Sequence, residues 1–235
     1  MNAKAVAVTQ PLSNIAKIYI SKEGDEEVFR LMSIDEFIAY VARVSNPSNQ
    51  NNTLTATKLL RYLAQHKHWS PFEMANVVME INTTRDIARQ ILRHRSFAFQ
   101  EFSQRYADPT KDLGFVTREA RLQDTKNRQN SIETDDRKLQ EDWERMQLEL
   151  SFKFTEAYHW AIKNGIAKEQ ARAVLPEGMT NSRMYMNGTL RSWIHYCQLR
   201  MGPETQKEHR EIATDCWYEI TKLFPSLKDT LDIGK

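Results

Sequence analysis

The segment from Gln90 to Arg105 holds the densest chemistry in the chain. Arg93-His94-Arg95-Ser96-Phe97-Ala98-Phe99-Gln100-Glu101-Phe102-Ser103-Gln104-Arg105 sets three arginines, a histidine, two serines and a carboxylate among three aromatic rings. Gln90, Arg93 and His94 lie one helical turn apart, so a helix would gather them on one side and converge them where it ends. Guanidinium groups suit phosphate or pyrimidine oxygens, because the planar fork donates paired hydrogen bonds and stays charged at any working pH. Three other readings fit the same residues. One is a solvated arginine face capped by a loop, and another is a structural oligomer whose arginines pair between subunits. The third is a single-strand-binding module, with Phe97, Phe99, Phe102 and Tyr106 stacking bases.

The surrounding pattern supplies elements that would hold this segment. Ala5–Val8 and 15–20 read as short strands around Pro11. Ser33 and Glu36 make a capping box, and Ile34, Phe37, Ile38, Val41 and Val44 continue at helical spacing until Asn46 and Pro47. A second helix begins near Thr53 and ends before Ser70 and Pro71. Ala75, Val77, Met79 and Ile81 alternate as a strand does, after which Thr84 offers a cap to a helix bearing Ile87, Ala88, Ile91 and Leu92. Between Thr117 and Asp142 large apolar residues almost vanish, which predicts a solvated excursion with no structure assigned to its centre. Trp143, Met146, Leu150, Phe154, Ala157 and Ala161 then keep step as a long amphipathic helix, predicted to be a main core element. A short helix over Gln170–Val174, a strand over Met179–Met186, a helix over Leu190–Leu199 and a final helix with Ile212, Cys216, Ile220 and Leu223 complete the pattern. The expectation is an α+β fold with a central antiparallel or mixed sheet, one domain over 1–235, and a charged insertion at about 118–138.

Composition narrows the function. A net charge of +2 on 235 residues gives no global field of the kind a general nucleic-acid binder needs, so any anion site is local. Seven glycines, none in a dinucleotide or P-loop pattern, leave the holding of a nucleotide to side chains. Two cysteines without clustered partners suggest neither a disulfide framework nor a metal site, and no apolar run is long enough to span a membrane. A soluble, cytoplasmic protein is expected.

Arg93-His94-Arg95, seven residues and then Ser103, with Arg105 trailing, resembles the signature of the flavin-dependent thymidylate synthases. The resemblance extends to Ala42-Arg43-Val44-Ser45, His68-Trp69-Ser70-Pro71-Phe72-Glu73, Ala171-Arg172-Ala173-Val174-Leu175-Pro176 and Leu190-Arg191-Ser192-Trp193 running to Leu199-Arg200. It spans most of the chain in the family's order. It implies a homotetramer with active sites where subunits meet, FAD as cofactor, NADPH as reductant, methylene-tetrahydrofolate as carbon donor and dUMP as substrate. It also implies that the dUMP phosphate meets Gln90, Ser103, Arg105 and Arg172, with Arg93, Glu101, Phe102 and Gln104 lining the nucleotide. Arg200 would face the uracil as the catalytic residue. FAD would be held by Ser45, Ser70, Glu73, Arg93, His94, Arg95, Glu101, Arg191 and His195, the last as a flavin neighbour and not an acid or base. Two positions depart from the family pattern: Met74 stands where a histidine is frequent, and Gln104 where a glycine is.

Methylating C5 of uracil ordinarily calls for a thiolate that attacks C6. Cys197 and Cys216 instead fall in the apolar phases of their helices and read as small core residues. Ser103 has no obvious histidine–carboxylate pair near it in the sequence, so a serine nucleophile is a weaker reading than the phosphate contact the resemblance implies. In the family, reduced flavin supplies the hydride and no cysteine adduct is needed.

Overall fold

The computed structural model describes residues 1–12, 17–23 and 26–228. Its strands are β1 (Asn2–Val8), β2 (Lys17–Glu23), β3 (Glu26–Leu31), β4 (Asn76–Thr84), β5 (Ala98–Glu101), β6 (Arg121–Gln123), β7 (Ser131–Glu133) and β8 (Asn181–Thr189). The helices are α1 (Ile34–Ala42), α2 (Ala56–Gln65), α3 (Arg85–Ile91), α4 (Pro109–Asp112), α5 (Arg137–Lys163), α6 (Lys168–Ala171), α7 (Leu190–Arg200) and α8 (Lys207–Leu223). The part of the first predicted strand pair at Ile15 and Ala16 lies outside the described residues.

The central sheet runs β1-β4-β8-β5 and every pairing in it is antiparallel. Its register follows from alternation. Val77, Met79 and Ile81 of β4 and Met184 and Met186 of β8 are fully buried on one face, and a one-residue slip would turn them all to solvent. Against that face lie α3, α7 and α8, whose Ile87, Ile91, Trp193, Ile194, Ile212, Cys216 and Ile220 join the same core. Trp193 satisfies its buried indole by donating to the Val77 carbonyl at 3.0 Å.

Local signals place the helices around this layer. The Ser33–Glu36 capping box forms as read, with both reciprocal bonds present. Thr84 occupies the cap position of α3 without a side-chain cap bond; its hydroxyl donates to Asp86 at 2.6 Å and accepts from Arg118 at 2.7 Å. Gly165, at φ 79°, follows α5 in the left-handed region that residues other than glycine rarely adopt. Gly188 has a different role: a Cβ there would overlap the Phe97 ring, which is itself wedged against Trp193 at 4.8 Å between centroids. That close approach pins the turn after α3 to the sheet.

The expectation for α5 needs correction. Its apolar burial lies in the C-terminal half, through Phe154, Tyr158 and Ala161 against Ala171 and Leu175, in a small cluster separate from the main core. Trp143, Met146 and Leu150, read as core, are 40%, 53% and 57% exposed. Amphipathic spacing shows that a face seeks burial, but not whether the same chain provides it.

Candidate active site

α3 delivers Gln90 and then stops, so Arg93, His94 and Arg95 fall in the turn leading to β5, beside the end of α7. Arg200, the last residue of α7, donates from Nε to His94 Nε2 at 2.9 Å. That bond requires an unprotonated His94 Nε2. Partial burial, with the charges of Arg200 and Arg93 adding to it, lowers the His94 pKa to about 4, so the acceptor form prevails at neutral pH. Among the described residues, no carboxylate lies within ion-pair distance of Arg93, Arg95 or Arg200. Arg93 and Arg95 after α3 and Arg200 at the end of α7 thus carry positive charge that the described residues leave uncompensated.

Behind them sits a polar network that the sequence reading did not include. His209 is fully buried and contacts the Tyr196 hydroxyl through Nε2 at 3.1 Å and the Gln90 Oε1 through Nδ1 at 3.2 Å. Burial, reinforced by the charge of Arg200, lowers its pKa to about 3. The available signal was a histidine in the phase of Ile212, Cys216 and Ile220, an apolar stripe in which a polar residue needs partners.

A second group gathers around β5 and α6. Glu101 is not a free carboxylate: it accepts from Ser182 Oγ at 2.9 Å and pairs with Arg89 at 3.2 Å. Arg105 pairs with Glu169 at 3.3 Å, and Arg172 donates to the Glu169 carbonyl at 3.3 Å, so one residue holds both guanidinium groups near each other. Ser103 Oγ accepts from the Arg105 N–H at 3.3 Å, and the Phe102 N–H is used by the Arg183 carbonyl at 2.8 Å. Gln104 is buried, and its amide Nε2 has no hydrogen-bond partner among the described residues. A buried donor left unpaired costs roughly 1–3 kcal/mol, which a ligand oxygen would relieve.

A third group lies along the exposed side of α7. Arg191 pairs with Glu73, and His195 sets its ring edge-on to Trp69 at 4.9 Å, next to the short 3-10 turn that Ser70 begins. Burial, and then the Arg191 charge, lowers the His195 pKa. Ser45 stands exposed in the turn after α1 and makes no side-chain hydrogen bond among the described residues. No hydrogen bond or ion pair among the described residues joins the Arg105–Arg172 group to the Arg200 group.

The family model described as thymidylate synthase complementing protein matches residues 27–226. The chain belongs to that family. A probable flavin-dependent thymidylate synthase of Paramecium bursaria Chlorella virus 1 is 46% identical over 232 residues, covering 99% of both chains. A flavin-dependent thymidylate synthase of Synechocystis is 43% identical over 99% of this chain and 100% of its own. The fold is that of a UMP/dUMP methylase, PolB of Streptomyces cacaoi, solved with 5-Br dUMP: TM-score 0.74 at 23% identity, covering 97% of this chain and 93% of that one. Family membership directs attention to Arg93, His94 and Arg95, which the fold sets in one turn. Phe97 and Phe99 pack against the main core, so these two rings do not form the base-stacking platform that the single-strand reading requires. No helix among the described residues is long and apolar enough to cross a membrane.

Proposed function

We propose that this protein is a cytoplasmic flavin-dependent thymidylate synthase that converts dUMP to dTMP, with methylene-tetrahydrofolate as carbon donor and NADPH as reductant. The observation that carries this reading is the uncompensated set Arg93, Arg95 and Arg200, the last held by a neutral histidine, in a chain of this family. The donor set fits the ligands. Gln90, Ser103, Arg105 and Arg172 would hold the dUMP phosphate, with Arg93, Glu101, Phe102 and Gln104 along the nucleotide; the unpaired Gln104 amide is a donor awaiting an acceptor. Ser45, Ser70, Glu73, Arg93, His94, Arg95, Glu101, Arg191 and His195 would hold FAD. Bound and reduced, FAD supplies the hydride that completes the new methyl group. Arg200 supplies fixed positive charge at the uracil, favouring the electron-rich ring whose C5 takes the carbon and then gives up its proton. Its Nε bond to His94 removes the need to reorganise during the reaction. Tritium release from C5-labelled dUMP, with NADPH and methylene-tetrahydrofolate supplied to purified yellow protein, tests the whole assignment. A colourless protein unable to take up FAD would overturn it.

Neither cysteine is suited to be a nucleophile. Cys197 and Cys216 are fully buried, and burial pushes both thiols far above their usual range, so almost no thiolate exists. Cys197→Ala and Cys216→Ala are expected to keep turnover, each losing about 1 kcal/mol of stability to the small cavity left. Turnover abolished in a folded Cys197→Ala protein would restore the thiolate mechanism.

The same reading places the active sites between subunits of a homotetramer. It is supported by the uncovered face of α5, where Met146, Leu150 and Phe152 are 53%, 57% and 69% exposed. Met146→Glu with Leu150→Glu should shift sedimentation from tetramer to smaller species and remove most turnover. A dissociated variant with full activity would show that each protomer holds a complete site.

A further inference from the structure

Glu208 lies at the start of α8, buried, between two arginines of the charged segment. Arg121 binds its Oε1 at 2.5 Å, and Arg118 stands 3.8 Å from its Oε2. Burial alone would favour the neutral acid, but the Arg121 hydrogen bond and the Arg118 charge outweigh it and lower the pKa, keeping a carboxylate that can only accept. This fixes the sense of every bond beyond it. Gln206 Nε2 donates to Glu208 Oε2 at 2.9 Å, so Gln206 Oε1 is the atom that faces Gln90. Gln90 Nε2 donates to it at 2.8 Å, which leaves Gln90 Oε1 for His209. His209 must then carry its proton on Nδ1, and its Nε2 accepts from the Tyr196 hydroxyl. Reversing any amide would set two acceptors or two donors against each other.

We infer that Glu208, Gln206 and His209 are positioning residues whose one-way hydrogen-bond relay, anchored by Arg118 and Arg121, holds the Gln90 amide in the orientation that binds the nucleotide. The relay uses one N–H of the Gln90 amide and leaves the second for a ligand oxygen. It also gives the charged segment a purpose, since the relay's fixed end is the carboxylate that Arg118 and Arg121 clamp. The inference rests on the assignment of Gln90 to dUMP made above.

The test is titration of dUMP into FAD-loaded protein, with kcat measured alongside. Gln206→Leu should weaken dUMP about tenfold, the effect of one hydrogen bond to a charged ligand, with kcat within about twofold of the parent. Gln90→Leu combined with Gln206→Leu should bind no more weakly than Gln90→Leu alone, because both act through one amide. Glu208→Gln, which keeps shape but lets either amide sense form, should also weaken binding. Adding Gln206→Glu to it returns an acceptor-only group next to Gln90 and should restore affinity to within about threefold of the parent. Additive losses, or no rescue by the exchanged pair, would overturn the relay and reduce Glu208 to a structural ion pair. Unchanged dUMP affinity in Gln206→Leu would do the same while leaving the enzyme assignment intact. Failure of the parent protein to bind dUMP would instead overturn the assignment of Gln90.

Discussion

Arg200→Ala protein is expected to release tritium from C5-labelled dUMP about 10²–10³ times more slowly than the parent while keeping its FAD, the loss typical of removing one preorganised charge from a reacting site. Arg200 ends α7, faces no carboxylate among the described residues, and is restrained by the 2.9 Å bond from its Nε to His94. With Nε so used, the two terminal nitrogens remain for a ligand. Arg200→Lys separates charge from shape: the ammonium keeps the positive field but cannot donate to His94 and the substrate in the same fixed plane, so turnover should recover only in part. The helix end also explains why flavin content should survive, since Arg191 and His195, the α7 residues assigned to FAD, lie at least one turn earlier. Turnover within twofold of the parent in Arg200→Ala would show that this guanidinium is structural.

Much of this site was legible because its residues lie close together in sequence. The run from Arg93 to Arg105 needs only one helix end and one strand to assemble, and the spacing of Ile87, Ala88 and Ile91 announces that helix. The strand expected over 179–186 corresponds to β8, which runs Asn181–Thr189. What sequence could not reveal depends on distant partners. Arg118 and Arg121 look solvated until Asp86 and Glu208 are placed beside them, at separations of 32 and 87 residues. Those pairs, with Gln147 accepting from the Arg118 N–H at 2.8 Å, tie the segment to the body, where β6 and β7 form a hairpin. Glu101, expected beside the nucleotide and FAD, also accepts from Ser182 and pairs with Arg89, and a carboxylate keeps further lone pairs for a ligand donor. His209 escaped for another reason: apolar periodicity counts a histidine as an interruption, although in a core it is a polar residue with a specific pair of partners.

Those partners make stability depend on pH in a defined direction. His209 has a folded pKa near 3, against about 6.5 for an unperturbed histidine. The unfolded chain therefore binds the proton more readily, so the stabilising contribution is fully present above about pH 6.5 and is lost as pH falls toward the folded value. Between pH 7 and pH 5, His209 alone should remove about 2 kcal/mol; His94, with its pKa near 4 but only half-buried, adds a smaller loss in the same direction. Protonating His94 has a further consequence, because Nε2 then carries a proton and can no longer accept from Arg200. Urea unfolding of the parent and of His209→Gln at pH 7 and pH 5 isolates the effect. Carboxylates titrate alike in both proteins, so the difference in their pH-dependent losses belongs to His209, and the variant should lose about 2 kcal/mol less than the parent. Equal losses in the two proteins would mean that His209 takes up its proton without disturbing the native network, and the directional chain from Tyr196 through a neutral His209 to the Glu208 carboxylate would have to be abandoned.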